Sequence, residues 1–417
     1  VPVAGVAAVI GVVALIMNWR TGWPAVRKAA LGVLMGGAAF LVLADVFTRD
    51  EYVILTGSIG AVVPALSLSS LGTHVLLTRR AARGEDLVSA WNRALTLGLA
   101  SPTLATLVLL ALHPLLFPGG NVPWSVFALF AIAGLPFFWL SEMVAFLPIG
   151  LGDIRSVAVI RFATFLCRIV ALGWFVLLSG GSLLEWAGAH AASFAAASVL
   201  GVFIVSRKYG LRPGLGSDLA ADIKEGLPFS MSGATESVFD GADRVLLVRY
   251  GLDEDAGLYG LGNRITQFGY APIRILLRSR DAELHRAGGV GVRAAFEVAK
   301  TMFVPGLVLG CGAAAVIWIC APLIPLLLGS KWEPAVSAIR LLAFLPGIRS
   351  VQYLVGNTIT AFDRQPWRFG ATALAAGLNL VLNVIFLPTG TWRTAVVTTF
   401  ISEAFLVTAL GMVVWYW

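Results

Sequence analysis

The sequence predicts an all-α polytopic membrane protein: two six-helix lobes related by a pseudo-two-fold axis along the membrane normal, plus one extra N-terminal span. Three observations predict it. Of the 417 residues, 58% are apolar and 13% charged, against roughly 25% charged in an ordinary soluble chain. Apolar runs long enough to cross a bilayer recur from end to end. Basic residues gather in every second connection between those runs. With a mean hydropathy of +0.86, too little polar surface is left to face water. A soluble enzyme, an ordinary nucleic-acid binder and a disordered chain are thereby excluded. The net charge of +7 reads as membrane topology rather than as affinity for nucleic acid.

The spans are expected at 1–18, 28–47, 52–78, 89–114, 122–147, 155–178, 183–206, 226–249, 256–279, 298–328, 334–360, 367–388 and 392–416. Residues 1–18 read as a span and not as a cleaved leader. The longest polar stretch runs from Arg207 to Glu225. Within it, Ser217-Asp218-Leu219-Ala220-Ala221-Asp222-Ile223-Lys224 predicts an N-capped amphipathic surface helix. The expected division is therefore 1–18 (extra span), 20–206 (N-lobe), 207–224 (cytoplasmic linker) and 225–417 (C-lobe).

Connections after the odd-numbered spans hold 19 of the 30 Lys and Arg residues, among them Arg79, Arg80, Arg207, Lys208, Arg293 and Arg364. The alternate connections hold only Arg49, Arg249, Lys331 and Arg393. This asymmetry predicts that the first set, and the C-terminus, are cytoplasmic. Glu51-Tyr52 opening one span and Gly257-Leu258-Tyr259 opening another, with Ala145-Phe146 and Ala361-Phe362 later, repeat at similar offsets. Two parallel halves of six spans follow from that repeat.

Charges inside spans are expensive and must face protein or water. Glu236, Asp240 and Asp243 are spaced by four and three, so they share one helical face. They read either as an acidic site for a cation or as partners of Arg244, Arg264 or another buried arginine. The buried basic residues are all arginine: Arg93, Arg168, Arg244, Arg264, Arg274, Arg340 and Arg349. Arg93 and Arg274 lie near ends and are expected to snorkel. Glu142 and Arg168 are expected to pair between neighbouring spans, and His74 and His190 to be satisfied within the core. Cys167, Cys311 and Cys320 lie in apolar runs without ligand spacing, so neither zinc nor a disulfide is expected. The chain has no Walker A motif, so ATP hydrolysis by this chain is not expected.

Several stretches resemble the Wzx-type polysaccharide (O-antigen) flippases of the multidrug/oligosaccharidyl-lipid/polysaccharide (MOP) exporter superfamily, which also contains the MATE multidrug transporters. They are Asp222-Ile223-Lys224-Glu225-Gly226-Leu227-Pro228-Phe229, Asp243-Arg244-Val245-Leu246-Leu247, Ala256-Gly257-Leu258-Tyr259 with Asn263-Arg264, Asn379-Leu380-Val381-Leu382-Asn383 with Pro388-Thr389-Gly390, and Ile401-Ser402-Glu403. The resemblance covers about residues 20–417, leaving 1–18 as an addition. It implies a non-enzymatic flippase moving an undecaprenyl-pyrophosphate-linked glycan to the outer leaflet of a bacterial inner membrane by alternating access. It also implies a cationic cavity built from Arg264, Arg349, Arg340, Arg244 and Gln267. Cation coupling by Na⁺ or H⁺, with no other cofactor, would use Glu236, Asp240, Asp243, Asn379, Asn383 and Thr398. Helix-to-helix hydrogen bonding is the alternative role of the two asparagines. Expected partners are the bilayer and polysaccharide polymerase or export proteins, with no nucleic acid and a monomeric state. The rival readings are a multidrug/cation antiporter of the same superfamily and a membrane polymerase or glycosyltransferase. The latter would need a large outer loop that the short external connections do not supply.

Overall fold

The computed structural model describes residues 42–179, 181–361 and 364–416. Among them the regular structure is helical throughout, with no strand. The expected span 1–18, and all but the end of 28–47, lie outside the described residues. The helices are α1 (Arg49–Ser69), α2 (Thr73–Arg83), α3 (Leu87–Leu116), α4 (Trp124–Gly150), α5 (Ile154–Leu178), α6 (Leu183–Tyr209), α7 (Leu219–Arg249), α8 (Asp253–Val290), α9 (Val292–Leu328), α10 (Ala335–Ala361), α11 (Gln365–Phe386) and α12 (Trp392–Tyr416). Nine of the described helices are long and apolar enough to cross a membrane. The chain is a multi-pass membrane protein. The helices α7 and α8 fall outside that count because their apolar runs are interrupted by polar, charged and glycine residues.

Two expectations are corrected. The predicted span 52–78 is broken at Leu71 (φ 45°) and Gly72 (φ 62°), giving α1 and α2. Nothing in the apolar pattern marks the break, because its cause is a distant residue, Gly226 on α7. A Cβ on Gly72 would sit 2.5 Å from the Gly226 carbonyl oxygen, and a Cβ on Gly226 would sit 1.9 Å from the Leu71 oxygen. The left-handed turn and the absence of side chains let two backbones touch. The second correction concerns the linker helix. Residues 219–224 do not form a separate surface helix but the first turns of α7. Asp222 is 2% exposed, because Arg80 donates to both its oxygens at 2.6 and 2.7 Å. That bidentate grip raises the Arg80 guanidinium further above its usual range. The chain before α7 lies along α3, with Gly214 N donating to Asn92 Oδ1 and Gly216 N to Thr96 Oγ1.

By contacts the described residues form two compact units, Ile54–Val245 and residues 42–53 with 246–416. Residues 225–245 thus pack with the first, and residues 42–53 with the second. The first unit is cored by Trp91, Met143, Val144, Leu147, Ile160 and Val205. Within it α4 widens into a π-helical turn over Ala133–Phe137, where Pro136 offers no N–H. The Ser198 hydroxyl from α6 donates to the Phe137 carbonyl at 2.6 Å. Between α4 and α5, Lys208 and the Tyr209 hydroxyl hold the Asp153 carboxyl well below the usual carboxylate range.

In the second unit, the loop between α9 and α10 fixes the segment entering α1. Lys331 Nζ donates to the carbonyls of Asp45 and Phe47 at 2.8 and 2.7 Å. Trp332 Nε1 donates to the Ala44 carbonyl, and its ring packs edge-on against Tyr52. A cation placed on carbonyls at the end of a helical turn complements their dipoles.

The Gly72–Gly226 crossing yields a test. Gly226→Ala should lower stability by about 1–3 kcal/mol through overpacking, seen as a lower unfolding midpoint in detergent. Gly188→Ala, where a Cβ meets nothing within 4 Å, should be neutral or slightly stabilising. Equal midpoints for both variants would refute the close-approach account.

Candidate functional site

Four helices of the second unit bring polar side chains to membrane depth. Asn379 and Asn383 are four apart on α11, so they share a face. Asn383 Nδ2 donates to the Asn379 carbonyl at 2.9 Å and to Asn379 Oδ1 at 3.1 Å. From α12 the Thr398 hydroxyl reaches Asn383 Oδ1 at 2.9 Å. All three residues are buried, and Asn379 Nδ2 has no hydrogen-bond partner. One position on, Thr399 meets the Tyr259 hydroxyl of α8 at 3.2 Å. One turn further along α12, Glu403 Oε1 accepts from Arg349 Nε of α10 at 2.6 Å. Arg349 is 7% exposed and Glu403 0%. The Arg349 guanidinium also lies 5.0 Å from the Tyr270 ring centroid, so an aromatic face from α8 covers the pair.

Of the residues expected to line a cationic cavity, Arg349 is thus held by a carboxylate, and the pair carries no net charge. Glu403 can reach it because it lies four residues past Thr399, on the same side of α12. Arg264 and Gln267 do come together, half-buried on one face of α8, with Arg264 Nη1 donating to Gln267 Oε1 at 3.2 Å. Arg340 sits five residues into α10. It stacks over Trp318 at 4.5 Å in a groove at the helix ends, away from the seam.

The first unit holds the α7 acids. Glu236 is exposed, Asp240 half-buried and Asp243 buried at 2%, so one helical face grades from open to enclosed. Arg244, 7% exposed, donates to the Asp240 carbonyl at 3.2 Å. The expected cation set is divided between the units: Glu236, Asp240 and Asp243 belong to one, Asn379, Asn383 and Thr398 to the other. Among the described residues no three His, Cys, Asp or Glu side chains are grouped so as to hold a metal ion.

The expected Glu142–Arg168 pair is corrected. Glu142 accepts from Arg161, seven residues earlier on the same face of α5. Arg168, near the middle of α5, instead lies over the Phe194 ring at 5.3 Å, and the Glu142 carboxylate acts on it only electrostatically, without a direct contact among the described residues. His190 packs among Phe130, Trp186 and Phe194, as a satisfied core residue would. Sequence reasoning missed the roles of Tyr259, Tyr270 and Asp222. Tyr259 carried a signal in the Gly-Leu-Tyr string and Asp222 one at the head of the Asp222–Phe229 string, whereas Tyr270 carried none.

The Arg349–Glu403 pair gives the site its test. Either single alanine variant should be destabilised by about 3–5 kcal/mol, because each leaves a buried charge unpaired. The double variant Arg349→Met/Glu403→Leu should recover most of the loss. Additive losses in a thermal double-mutant cycle would show that the two groups are not coupled.

No protein-family model matches the sequence, and no curated protein matches it. Solved structures do match the fold. An inward-facing MATE-family multidrug-resistance transporter of the MOP superfamily superposes with a TM-score of 0.68 at 16% identity, covering 97% of this chain and 98% of that one. An outward-facing MATE-family transporter gives 0.59 at 18% identity, over 99% and 93%. A MOP-superfamily transporter from Pyrococcus furiosus, described as having a binding pocket of reversed polarity, gives 0.59 at 14%, over 92% and 93%. The chain therefore has the all-α, multi-pass fold of the MOP-superfamily transporters.

Proposed function

We propose that the chain is a flippase that moves an undecaprenyl-pyrophosphate-linked oligosaccharide from the cytoplasmic to the outer leaflet of a bacterial inner membrane by alternating access. The fold supports a transporter. The observation that carries the substrate class is Arg168, a guanidinium midway along α5 that rests on an aromatic face. Arginine keeps its charge at any working pH and grips phosphate oxygens bidentately. Arg264 with Gln267 offers a second donor set on α8, and the amide suits sugar hydroxyls. In this mechanism the pyrophosphate and glycan pass through protein while the polyprenyl tail stays in lipid. No covalent step is needed.

A coupling cation gives direction. Asn379, Asn383 and Thr398 supply neutral oxygens for Na⁺, and the graded acids Glu236, Asp240 and Asp243 suit protons. The same acidic face favours the second reading, a multidrug/cation antiporter, because a cationic drug seeks carboxylates.

Proteoliposomes carrying a polyprenyl-pyrophosphate oligosaccharide separate the two. Lectin access from the receiving side should fall about tenfold, worth about 1.4 kcal/mol, in Arg168→Ala and in Arg264→Ala at unchanged unfolding midpoints. Full flipping by both variants would remove the two arginines from the substrate path, and ethidium exchange without flipping by the wild type would end the flippase reading in favour of the antiporter.

Asn383→Ala should also abolish the dependence of the flipping rate on a Na⁺ gradient. A Na⁺ dependence that survives this substitution would remove the amide cluster from coupling.

A further inference from the structure

An open groove of about 800 Å³ lies where α9 ends, α10 begins and α12 begins. This is the end of the second unit opposite the basic residues Arg293, Lys300, Arg364 and Arg368. Its lining mixes apolar side chains (Pro322, Pro325, Leu326, Leu341) with Arg340, Arg393 and a single acid, Glu333. Arg340 lies over Trp318 at 4.5 Å and Arg393 over Trp392 at 5.4 Å. Among the described residues neither arginine forms an ion pair, and the Arg340 Nε is buried with no hydrogen-bond acceptor. Below the rim, Ile319, Leu323, Leu326 and Leu327 stand exposed on α9.

We propose that this groove binds the headgroup of an anionic phospholipid of the outer leaflet, with the two guanidinium groups on the phosphodiester and the acyl chains along α9. Three facts converge on that ligand. The arginines outnumber the acid, so the groove attracts an anion. Each guanidinium lies over an indole, a contact that leaves its N–H donors for oxygens. Tryptophan and arginine at helix ends mark the headgroup level, where an apolar surface begins directly beneath. A free phosphate would satisfy the arginines but leave that apolar wall uncovered. The site is separate from the proposed transport path and does not depend on that reading.

The test uses the full chain in mixed micelles with phosphatidylglycerol or phosphatidylcholine, read by native mass spectrometry of retained lipid. The wild type should retain phosphatidylglycerol preferentially. Arg340→Ala and Arg393→Ala should each cut that preference roughly 5-fold, and about 25-fold together. Glu333→Gln should raise it, which keeps the proposal open to refutation even if an arginine variant folds poorly. Unchanged preference in all three variants would overturn the site. Protection of the protein by inorganic phosphate as effective as that by phosphatidylglycerol would overturn the lipid as its occupant.

Discussion

At bilayer depth there is no water to complete a hydrogen bond, so every polar group on a spanning helix must be satisfied by the protein. That constraint shapes most of the polar structure of this chain. Serine and threonine hydroxyls bond back to their own helices, as Thr106 does to Pro102 O, Thr266 to Gly262 O and Thr358 to Leu354 O. Larger polar groups reach across helices: Asn383 to Thr398, Tyr259 to Thr399, Arg349 to Glu403. The helical seam in the second unit exists because α8, α10, α11 and α12 each bury a polar side chain that needs another. Apolar packing brings the helices together, and these bonds fix which residues meet.

Spans were legible in the sequence because hydropathy reports the solvent directly. Tertiary causes were not. Leu71-Gly72 sits in an unbroken apolar run, and its turn follows from Gly226, far along the chain. The polar string 217–224 looked like surface, yet Asp222 is buried because Arg80 reaches it from another helix. In both cases a residue distant in sequence decides the local conformation, and single-segment patterns carry no trace of it.

The buried charges show the same limit at finer grain. Periodicity placed Glu142 opposite the correct face of α5. Arg161 and Arg168 both lie on that face, two turns apart, and only the vertical register of α4 against α5 selects Arg161. Arg340 was expected in a chamber with Arg349, but nine residues separate them on one helix. At 1.5 Å per residue that is about 13 Å of depth, which takes Arg340 out to the rim. Residue type suggested an excess of buried positive charge. Pairing with Glu403 removes Arg349 from that excess, which is why Arg168 bears more of the substrate argument than Arg349.

Rearrangement within the second unit must respect the unequal cost of its polar contacts. Separating Arg349 from Glu403 would leave two buried charges, at roughly 3–5 kcal/mol. Parting a neutral bond such as Thr398 to Asn383 costs about 1 kcal/mol. The α10–α12 pair is therefore a fixed joint, and the α11–α12 amide cluster is the compliant one. A cation entering that cluster would exchange the weak bonds for ligand bonds without touching the ion pair. Ion binding would then move α11 against a frame made of α10 and α12, with Tyr270 closing the frame from α8. Coupling in this unit would thus follow from which contacts break cheaply, and the cheapest are the ones whose oxygens a cation would use.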